Sequence, residues 1–395
     1  MSHTIPVIDR FRGCLLGGAT GDALGAPVEF MRRADILRRF GQAGITTFAP
    51  GYDYPGAITD DTQMTLFTAE GLLTAWLGDG DTGAATARSY LGWLRTQHEW
   101  PYEPLLAAIE PAGWLWQQPE LHHRRAPGMT CLTALMAMPE LGVPADNHSK
   151  GCGGVMRAAP VGLYAWAQRW SPAQTLATGT ALAALTHGHR SGTLTAGVLA
   201  VLIQALCDGM TLPAALARAK PLLQAEAGHE ETLYALAAAA RYAASDLEPA
   251  QAVARLGEGW VAEEALAIAV YCALIAADLR AGVILAVNHD GDSDSTGAIA
   301  GNLLGALHGV QAIPAEWLTP LELRRVIDAV ANDLYATRDG DKNAGKSGVF
   351  YGDGVGYGTA STAQLQRSSL VKRVMSPAFR PGTGKRRTVS GLFRR

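Results

Sequence analysis

Three aspartates alternate with small residues in one segment, which reads N-H-D-G-D-S-D-S-T. They are Asp290, Asp292 and Asp294, and Ser295 and Thr296 follow them directly. Ser and Thr are favoured at helix N-termini, where acidic side chains also interact well with the helix dipole, so the segment predicts the start of a helix. Acids this close repel one another unless a cation neutralises them. Because the ligand atoms are all oxygens, they favour a hard divalent ion, Mg²⁺, Mn²⁺ or Ca²⁺, over zinc.

A second acidic segment, Thr59-Asp60-Asp61-Thr62, comes directly before an almost entirely apolar stretch. The apolar residues of that stretch fall on several faces of a 3.6-residue period, which predicts a helix buried nearly all round. One interpretation of the two aspartates is an ordinary acidic helix start. The other is a metal site, because buried charges must be paired or must bind a metal. The motif alone leaves both open.

Glycines are concentrated in the segment 147–163, which reads N-H-S-K-G-C-G-G-V-M-R-A-A-P-V-G-L. Gly151, Gly153 and Gly154, with Cys152 between them, would let backbone N–H groups approach a ligand closely, as in a phosphate or ribose cradle before a helix. The segment is neither a Walker loop nor a Rossmann fingerprint, because it lacks their spacing. A glycine turn without a ligand is the alternative. Arg157, a little further on, is expected to pair with one of the acids.

Two histidines interrupt an Ala- and Leu-rich helical stretch in L-T-H-G-H-R-S-G. A zinc site would need further His or Cys at suitable spacing, and none is near. We therefore expect His187 and His189 to line a pocket as hydrogen-bonding groups, with buried structural histidines as the alternative. The basic run at 122–125 predicts a solvated loop or, alternatively, an anion site.

Two segments with glycine at every fourth position are the elements expected to hold the acids. Each helical glycine costs roughly 1 kcal/mol relative to alanine, so a row of them needs a compensating reason, such as a very close helix crossing. The two ladders consist of Gly13, Gly17, Gly21 and Gly25, and of Gly297, Gly301, Gly305 and Gly309. We predict that they pack together in the core near the metal site; a chance arrangement among 45 glycines is the alternative.

Two further acids stand near the first ladder. Asp22 shares a helical face with Phe11 and Leu15, and Pro27 ends that helix. Asp22 is either a functional carboxylate in a pocket or a helix-terminal acid bonded to backbone. Glu29 is open in the same way, with a surface position slightly favoured.

The composition predicts a large helical domain. The 395 residues are 48% hydrophobic and 17% charged, helix-type periodicity dominates from Ile8 to Tyr335, and strand-like alternation is scarce. We predict an all-α protein in which residues 1–337 form a single large orthogonal helical bundle. The five scattered cysteines indicate reduced, mostly buried thiols. Without a long unbroken apolar run or a signal peptide, we expect no membrane span and a cytoplasmic location.

The C-terminal segment 338–395 differs in charge from the rest. It carries twelve Lys or Arg against three Asp, a net charge of +9, which leaves −12 for residues 1–337. It is rich in Gly and Ser and holds too few apolar residues to offset the entropy of ordering, so it predicts a disordered tail. It is either a solvated extension or a binder of an anionic partner such as nucleic acid or anionic lipid.

Five of these segments together resemble the ADP-ribosylglycohydrolase family, in the order in which the family has them. They are F-R-G-C-L-L-G-G-A-T-G-D-A-L-G-A-P-V-E-F, I-T-D-D-T-Q-M, G-C-G-G-V-M-R-A-A-P-V-G-L, L-T-H-G-H-R-S-G and G-D-S-D-S-T-G-A-I-A-G-N-L-L-G-A-L-H-G. The resemblance covers roughly residues 8–336 and leaves out the tail. It implies an all-α fold and two Mg²⁺ or Mn²⁺ ions. The implied ligands are Thr59, Asp60, Asp61, Asp292, Asp294 and Ser295. Ser295 stands where the family often has Thr, and it keeps the hydroxyl.

The resemblance also implies a reaction, which is hydrolysis of the bond between ADP-ribose and a protein side chain. Asp60 or Asp61 is expected to transfer protons, while Glu29, the glycine turn and the histidines at 187 and 189 contact the ligand. We favour an arginine linkage. A serine linkage, a small ADP-ribose ester, or a non-catalytic protein that binds ADP-ribose or blocks a toxin are the alternatives. An EF-hand is disfavoured, since its required Gly and Glu positions hold Ser295 and Gly301.

Overall fold

Sixteen α-helices follow one another in the part of the chain that this computed structural model describes, residues 5–78, 80–109 and 113–340. The helices are α1 (Val7–Gly25), α2 (Arg33–Phe40), α3 (Asp60–Gly78), α4 (Thr82–Thr96), α5 (Met129–Ala137), α6 (Ala159–Ala167), α7 (Pro172–Ala184), α8 (Arg190–Cys207), α9 (Leu212–Gln224), α10 (Glu230–Ala243), α11 (Pro249–Leu256), α12 (Ala262–Ile275), α13 (Leu279–Val287), α14 (Ser293–His308), α15 (Ala315–Leu318) and α16 (Arg324–Ala336). These residues contain isolated β-bridges but no strand, so the predicted all-α class is confirmed. The predicted tail lies almost wholly outside them.

The two glycine ladders pack against each other, as the sequence predicted. A Cβ built on Gly17 would lie 3.2 Å from the carbonyl carbon of Gly301 and closer still to its oxygen. A Cβ on Gly301 would in turn lie 2.5 Å from the carbonyl carbon of Gly17. The same backbone contact recurs between Gly13 and Gly305. The absence of side chains therefore lets α1 and α14 touch along their backbones, a contact that we call the glycine seam.

Helix α3 is buried along almost its whole length, from Asp60 to Trp76, and this confirms the pattern that its apolar residues predicted. It packs against α4, where the backbone at Thr86 lies against Gly71. The Trp93 indole on α4 donates a hydrogen bond of 3.1 Å to the buried Gln63 side chain of α3. These contacts fix the first turn of α3, and with it the two adjacent aspartates.

The remaining helices complete one apolar core. Helix α8 is long and apolar enough to cross a membrane by length and composition, yet 94% of it is buried within the protein, so its apolar side chains serve the core. Four of the five cysteines are buried, and Cys152 is half-buried. Helices α7 and α8 begin at side-chain caps, which are Ser171 and His189 respectively.

Candidate active site

The start of α14 presents its carboxylates in a buried position. Asp292 is the N-cap of this helix, and its Oδ1 accepts a hydrogen bond of 3.2 Å from the Ser295 N–H. Asp294, in the first turn, accepts a second bond of 2.9 Å from the same N–H. The thiol of Cys152 donates to Asp292 Oδ2 over 2.8 Å. The predicted helix start is thus confirmed, and it brings one residue of the glycine turn against an aspartate.

Asp22 fixes the start of α3 from the far end of α1. Its carboxylate accepts hydrogen bonds from the Thr59 N–H (3.0 Å), the Thr59 hydroxyl (2.9 Å) and the Thr62 N–H (3.1 Å). It therefore satisfies backbone donors that the first turn of a helix leaves free. Asp22 therefore bonds to backbone, as one of the two sequence interpretations had it, but that backbone belongs to α3 rather than to its own helix; the other interpretation, a functional carboxylate, stays a prediction.

Asp60 and Asp61 open α3 with unequal hydrogen bonding. Asp60 Oδ2 accepts a bond of 3.0 Å from the Gly128 N–H. Asp61 Oδ1 is buried and has no hydrogen-bond partner in the described structure. An unpartnered buried carboxylate oxygen is costly, so it needs a cation or a proton to stabilise it.

Glu29 lies just beyond α1 and is only 7% exposed. One of its carboxylate oxygens and one each from Asp292 and Asp294 lie within 4.8 Å of one another. Its Oε2 is buried without a partner among the described residues. The surface position that the sequence slightly favoured for Glu29 is therefore wrong. We refer to these buried carboxylates as the acidic cluster: Asp22, Glu29, Asp60, Asp61, Asp292 and Asp294.

The electrostatics of the acidic cluster disfavour full ionisation. Burial, and next the charge of Asp294, raise the pKa of Asp22 to about 7 and that of Glu29 to about 11. Burial likewise raises the pKa of Asp61 well above its ordinary value, and the charges of Asp294 and Asp60 add to the effect. Like charges at short range in a poorly solvated site cannot all persist. The cluster must hold protons or bind cations.

The residues present fit divalent cations. The donor set is made of carboxylate and hydroxyl oxygens, two of its buried oxygens lack partners, and no Lys or Arg of the described chain forms an ion pair with a cluster member. The Thr59 hydroxyl, just before α3, donates to Asp22 over 2.9 Å, and the Ser295 hydroxyl, in the first turn of α14, lies 3.6 Å from the Cys152 sulfur that bonds to Asp292.

Asp290 does not join the cluster, although it belongs to the same acidic segment. It is exposed, and its Oδ1 accepts a hydrogen bond from the Arg33 N–H at the start of α2. The segment therefore divides its acids between a surface cap and the buried site.

The glycine turn, residues 151–154, lies between the cluster and His187. A Cβ on Gly153 would lie 3.3 Å from His187 Nε2 and 2.9 Å from the sulfur of Cys131. The N–H of Cys152 donates to the Trp260 carbonyl over 3.2 Å and ties the turn to the segment before α12. The turn is thus enclosed on two sides, and the close fit favours glycine at 153 and 154, whereas a Cβ on Gly151 would make only ordinary contacts.

The described chain shares sequence and fold with proteins of one family. A sequence model of ADP-ribosylglycohydrolase matches residues 3–344. The chain belongs to the ADP-ribosylglycohydrolase family. It is 28% identical over 337 residues to the ADP-ribosyl-[dinitrogen reductase] glycohydrolase of Rhodospirillum rubrum, covering 82% of this chain and 96% of that protein.

Two further relatives agree. The ADP-ribosylarginine hydrolase Tri1 of Pseudomonas putida (strain GB-1) is 24% identical over 83% of this chain and 78% of its own length. A solved structure described as an ADP-ribosylglycohydrolase-related protein complex superposes with a TM-score of 0.59 and 28% identity, over 84% of this chain and 99% of the other. This ADP-ribosylglycohydrolase is therefore an enzyme of a class that cleaves ADP-ribose linkages.

The histidines of this ADP-ribosylglycohydrolase are placed differently from each other. His187 is buried beside the glycine turn. His189 is the N-cap of α8, where its Nδ1 accepts a bond of 3.2 Å from the Ser191 N–H. The proposed substrate contact of His189 remains a prediction, and only His187 lies against the turn.

A buried ion pair that the sequence did not reveal holds the backbone just before the acidic segment at 59–62. Arg125 and Glu322 pair through both arms of the guanidinium, and each is nearly inaccessible. Glu322 Oε2 accepts the Ile58 N–H over 2.9 Å, while Arg125 donates to the Ile58 carbonyl over 3.0 Å. The solvated loop predicted at 122–125 is therefore wrong for Arg125. We call this arrangement the Ile58 clamp.

The predicted pairing of Arg157 with an acid is also wrong. Its guanidinium bonds to Thr186 and contacts sulfur atoms and an aromatic ring instead.

At the rim of the site, the exposed rings of Phe30 and Trp260 stack with centroids 5.7 Å apart. No periodic signal marks that pair, because its members come from two loops distant in sequence.

Proposed function

We propose that this protein hydrolyses the N-glycosidic bond between ADP-ribose and an arginine side chain of a modified protein. The observation that carries the proposal is the meeting of two distant acidic segments, at 59–62 and 292–295, in one buried site with unpartnered carboxylate oxygens. The names of the Rhodospirillum rubrum and Pseudomonas putida relatives support the substrate class.

Two divalent cations, Mg²⁺ or Mn²⁺, would be held by the oxygens of six residues: Thr59, Asp60, Asp61, Asp292, Asp294 and Ser295. Four of these side chains are carboxylates, whose charge of −4 matches the +4 of two such ions. When bound, the ions supply positive charge that orients ribose hydroxyls and lowers the pKa of a coordinated water.

The carboxylates would serve the reaction directly. Cleavage of the bond at the anomeric carbon develops positive charge on the ribose, and a preorganised group of carboxylates stabilises that charge. Water supplies the oxygen that replaces the nitrogen at this carbon. Asp60 or Asp61 takes up one proton of the water and a proton is passed on to the departing nitrogen, so that the arginine leaves as a guanidinium and the carboxylate is regenerated. Asp61 is the better placed of the two because its Oδ1 is free of hydrogen bonds within the described chain.

The rest of ADP-ribose would lie along the glycine turn and the aromatic rim. Gly151, Cys152, Gly153 and Gly154 offer backbone close to the ligand, and His187 lies behind them. The stacked pair of Phe30 and Trp260 offers a flat apolar face on which a purine ring can stack.

The test measures release of ADP-ribose from arginine-linked and serine-linked peptides, with Mg²⁺ or Mn²⁺ and with EDTA. We expect release from the arginine-linked peptide that EDTA abolishes, and loss of activity in the Asp61→Ala and Asp294→Ala variants. Asp290→Ala is the matched control, because it removes an acid of the same segment that lies outside the cluster. Activity that survives in the Asp61→Ala, Asp294→Ala double variant would reject the site. Release from the serine-linked peptide alone would reject the linkage.

A further inference from the structure

Arg157 is a buried cation that lacks an acidic partner. Its side chain is only 1% exposed, and it forms no ion pair with any Asp or Glu of the described chain. Its guanidinium lies 4.4 Å from the centre of the Tyr90 ring and within 3.4 Å of the sulfurs of Met64 and Cys131. A buried charge with such weak partners is costly, so its one strong hydrogen bond becomes informative.

That hydrogen bond ends on Thr186. Arg157 donates to Thr186 Oγ1 over 2.7 Å, and the same oxygen lies 2.8 Å from Nδ1 of His187. Guanidinium can only donate, so the hydroxyl oxygen accepts from it and keeps its own proton for another acceptor. The competing acceptors are poorer: the Ala183 carbonyl lies 3.4 Å away, and a thiol sulfur such as that of Cys131 accepts weakly. The shorter contact, 2.8 Å against 3.4 Å, favours His187 Nδ1 over the Ala183 carbonyl as the acceptor of the Thr186 proton.

This direction fixes the proton of the imidazole. A neutral histidine carries one N–H, and if Nδ1 accepts, the hydrogen must be on Nε2. His187 stays neutral, because burial and, next, the charge of Arg157 lower its pKa to about 3. The side chain is therefore held as a single tautomer across the ordinary pH range.

The resulting N–H is directed at the glycine turn and is unused. Nε2 would lie 3.5 Å from a Cβ on Gly151 and 3.3 Å from one on Gly153, and it makes no hydrogen bond to a described residue. The N–H group of Gly153, in the first turn of the short 3-10 helix Cys152–Gly154, likewise has no acceptor among the described residues. A donor on a side chain that is 99% buried, beside an unpaired backbone donor, calls for an oxygen-bearing ligand.

We infer that Arg157 is a positioning residue: through Thr186 it holds His187 as the Nε2–H tautomer, so that the imidazole donates to a phosphate oxygen of the ligand in the glycine turn. The uncompensated charge of Arg157 favours phosphate over a sugar hydroxyl. The inference rests on the proposed function for the identity of the ligand, but not for the tautomer.

Two measurements on the full-length protein test it. Histidine ¹⁵N spectra report the tautomer directly, since a bare ring nitrogen and an N–H differ strongly in shift. We expect a bare Nδ1 and a protonated Nε2 in the wild type. Calorimetry with ADP, and with ribose as the uncharged probe, reports the subsite. In Thr186→Val we expect a mixture of tautomers and about five- to tenfold weaker ADP binding.

The controls separate this inference from a general loss of structure. Thr180→Val makes the same chemical change on α7, where the hydroxyl is buried without a partner, and should leave both readouts unchanged. His187→Gln, which keeps an N–H near the Nε2 position, should retain ADP binding better than His187→Leu. A wild-type spectrum with the hydrogen on Nδ1 overturns the inference. Equal ADP affinity in the valine variants at 186 and 180 overturns it as well. Neither result depends on hydrolysis, so failure of the proposed reaction remains a separate finding.

Discussion

Replacing Gly301 with alanine tests whether the glycine seam sets the geometry of the site. The new Cβ would lie 2.5 Å from the carbonyl carbon of Gly17 and 3.0 Å from the Gly18 nitrogen, and both of these are backbone atoms. Backbone cannot rotate aside as a side chain can, so α1 and α14 must separate by about 1 Å to restore ordinary contact. Overpacking of this kind costs about 1 to 3 kcal/mol, and here the upper end applies.

The intrinsic helix preference acts in the opposite direction, so the sign of the change in the free energy of unfolding shows which of the two effects is larger. Alanine is favoured over glycine within a helix by about 1 kcal/mol, so Gly301→Ala should lower the free energy of unfolding by a net value of about 2 kcal/mol. Gly92→Ala on α4 is the control, because its Cβ would lie 3.6 Å from Phe67 Cε1, an ordinary contact. That variant should be more stable than the wild type by up to about 1 kcal/mol.

The seam should also affect function, because Asp22 and Asp294 both lie at the end of it where Gly25 packs against the backbone of Ser293 and Asp294. A shift of about 1 Å in reacting groups can reduce activity by about 100-fold, so Gly301→Ala should be far less active even when folded. Urea titration gives the stability, and hydrolysis of an ADP-ribosylated substrate at saturating Mg²⁺ gives the activity. Equal stability of the alanine variants at 301 and 92 would show that the helices have room to spare and would refute the reasoning.

Three further predictions follow from the charges. Asp294→Asn should raise the melting temperature in EDTA, because it relieves the repulsion among the acids. In the wild type, a divalent ion at 100 times its Kd should increase the free energy of unfolding by about 2.7 kcal/mol, and the variant should lose this increase; calorimetric melts measure both effects. In the Ile58 clamp, Glu322→Gln should lower the free energy of unfolding by about 3 to 5 kcal/mol, whereas the double variant with Arg125→Met should lose less stability yet remain inactive. Burial raises the pKa of Glu70 to about 7, so between about pH 4.5 and 7 the folded state binds more protons than the unfolded chain. Stability therefore falls as the pH rises through that window, and urea melts of Glu70→Gln should show a shallower fall.

The sequence predicted the parts of the site that have a local pattern. The glycine ladders repeat every four residues, and the acidic segments each stand before a helix, so both the seam and the starts of α3 and α14 could be anticipated. Predicting that the two ladders pack together required only one assumption, that a row of helical glycines is kept because it allows close packing. Five segments in one order then indicated the family.

The parts that escaped prediction depend on contacts between distant residues. Arg125 stands in a run of polar residues that resembles a solvated loop, and nothing near it reveals that Glu322 will bury it. Arg157 was expected to form an ion pair with an acid, but the acidic cluster lies on the other side of the glycine turn. The sequence predicted the helix on which Asp22 lies, but not that its carboxylate would accept hydrogen bonds from the first turn of another helix, α3.

The arrangement explains how a fold can hold six carboxylates together without a permanent counter-charge. Backbone donors stabilise three of these acids locally: Asp22 by the first turn of α3, Asp60 by the Gly128 N–H, and Asp294 by its own helix start. These bonds offset only part of the repulsion, since the pKa values of all three remain raised. What prevents the helices from moving apart is therefore the packing. Ordinary helix pairs lie 8 to 10 Å apart with side chains between them, and such side chains can repack to relieve strain. A backbone contact cannot be relaxed in that way, so the seam keeps the acids close enough that binding a cation is the favourable way to relieve their repulsion.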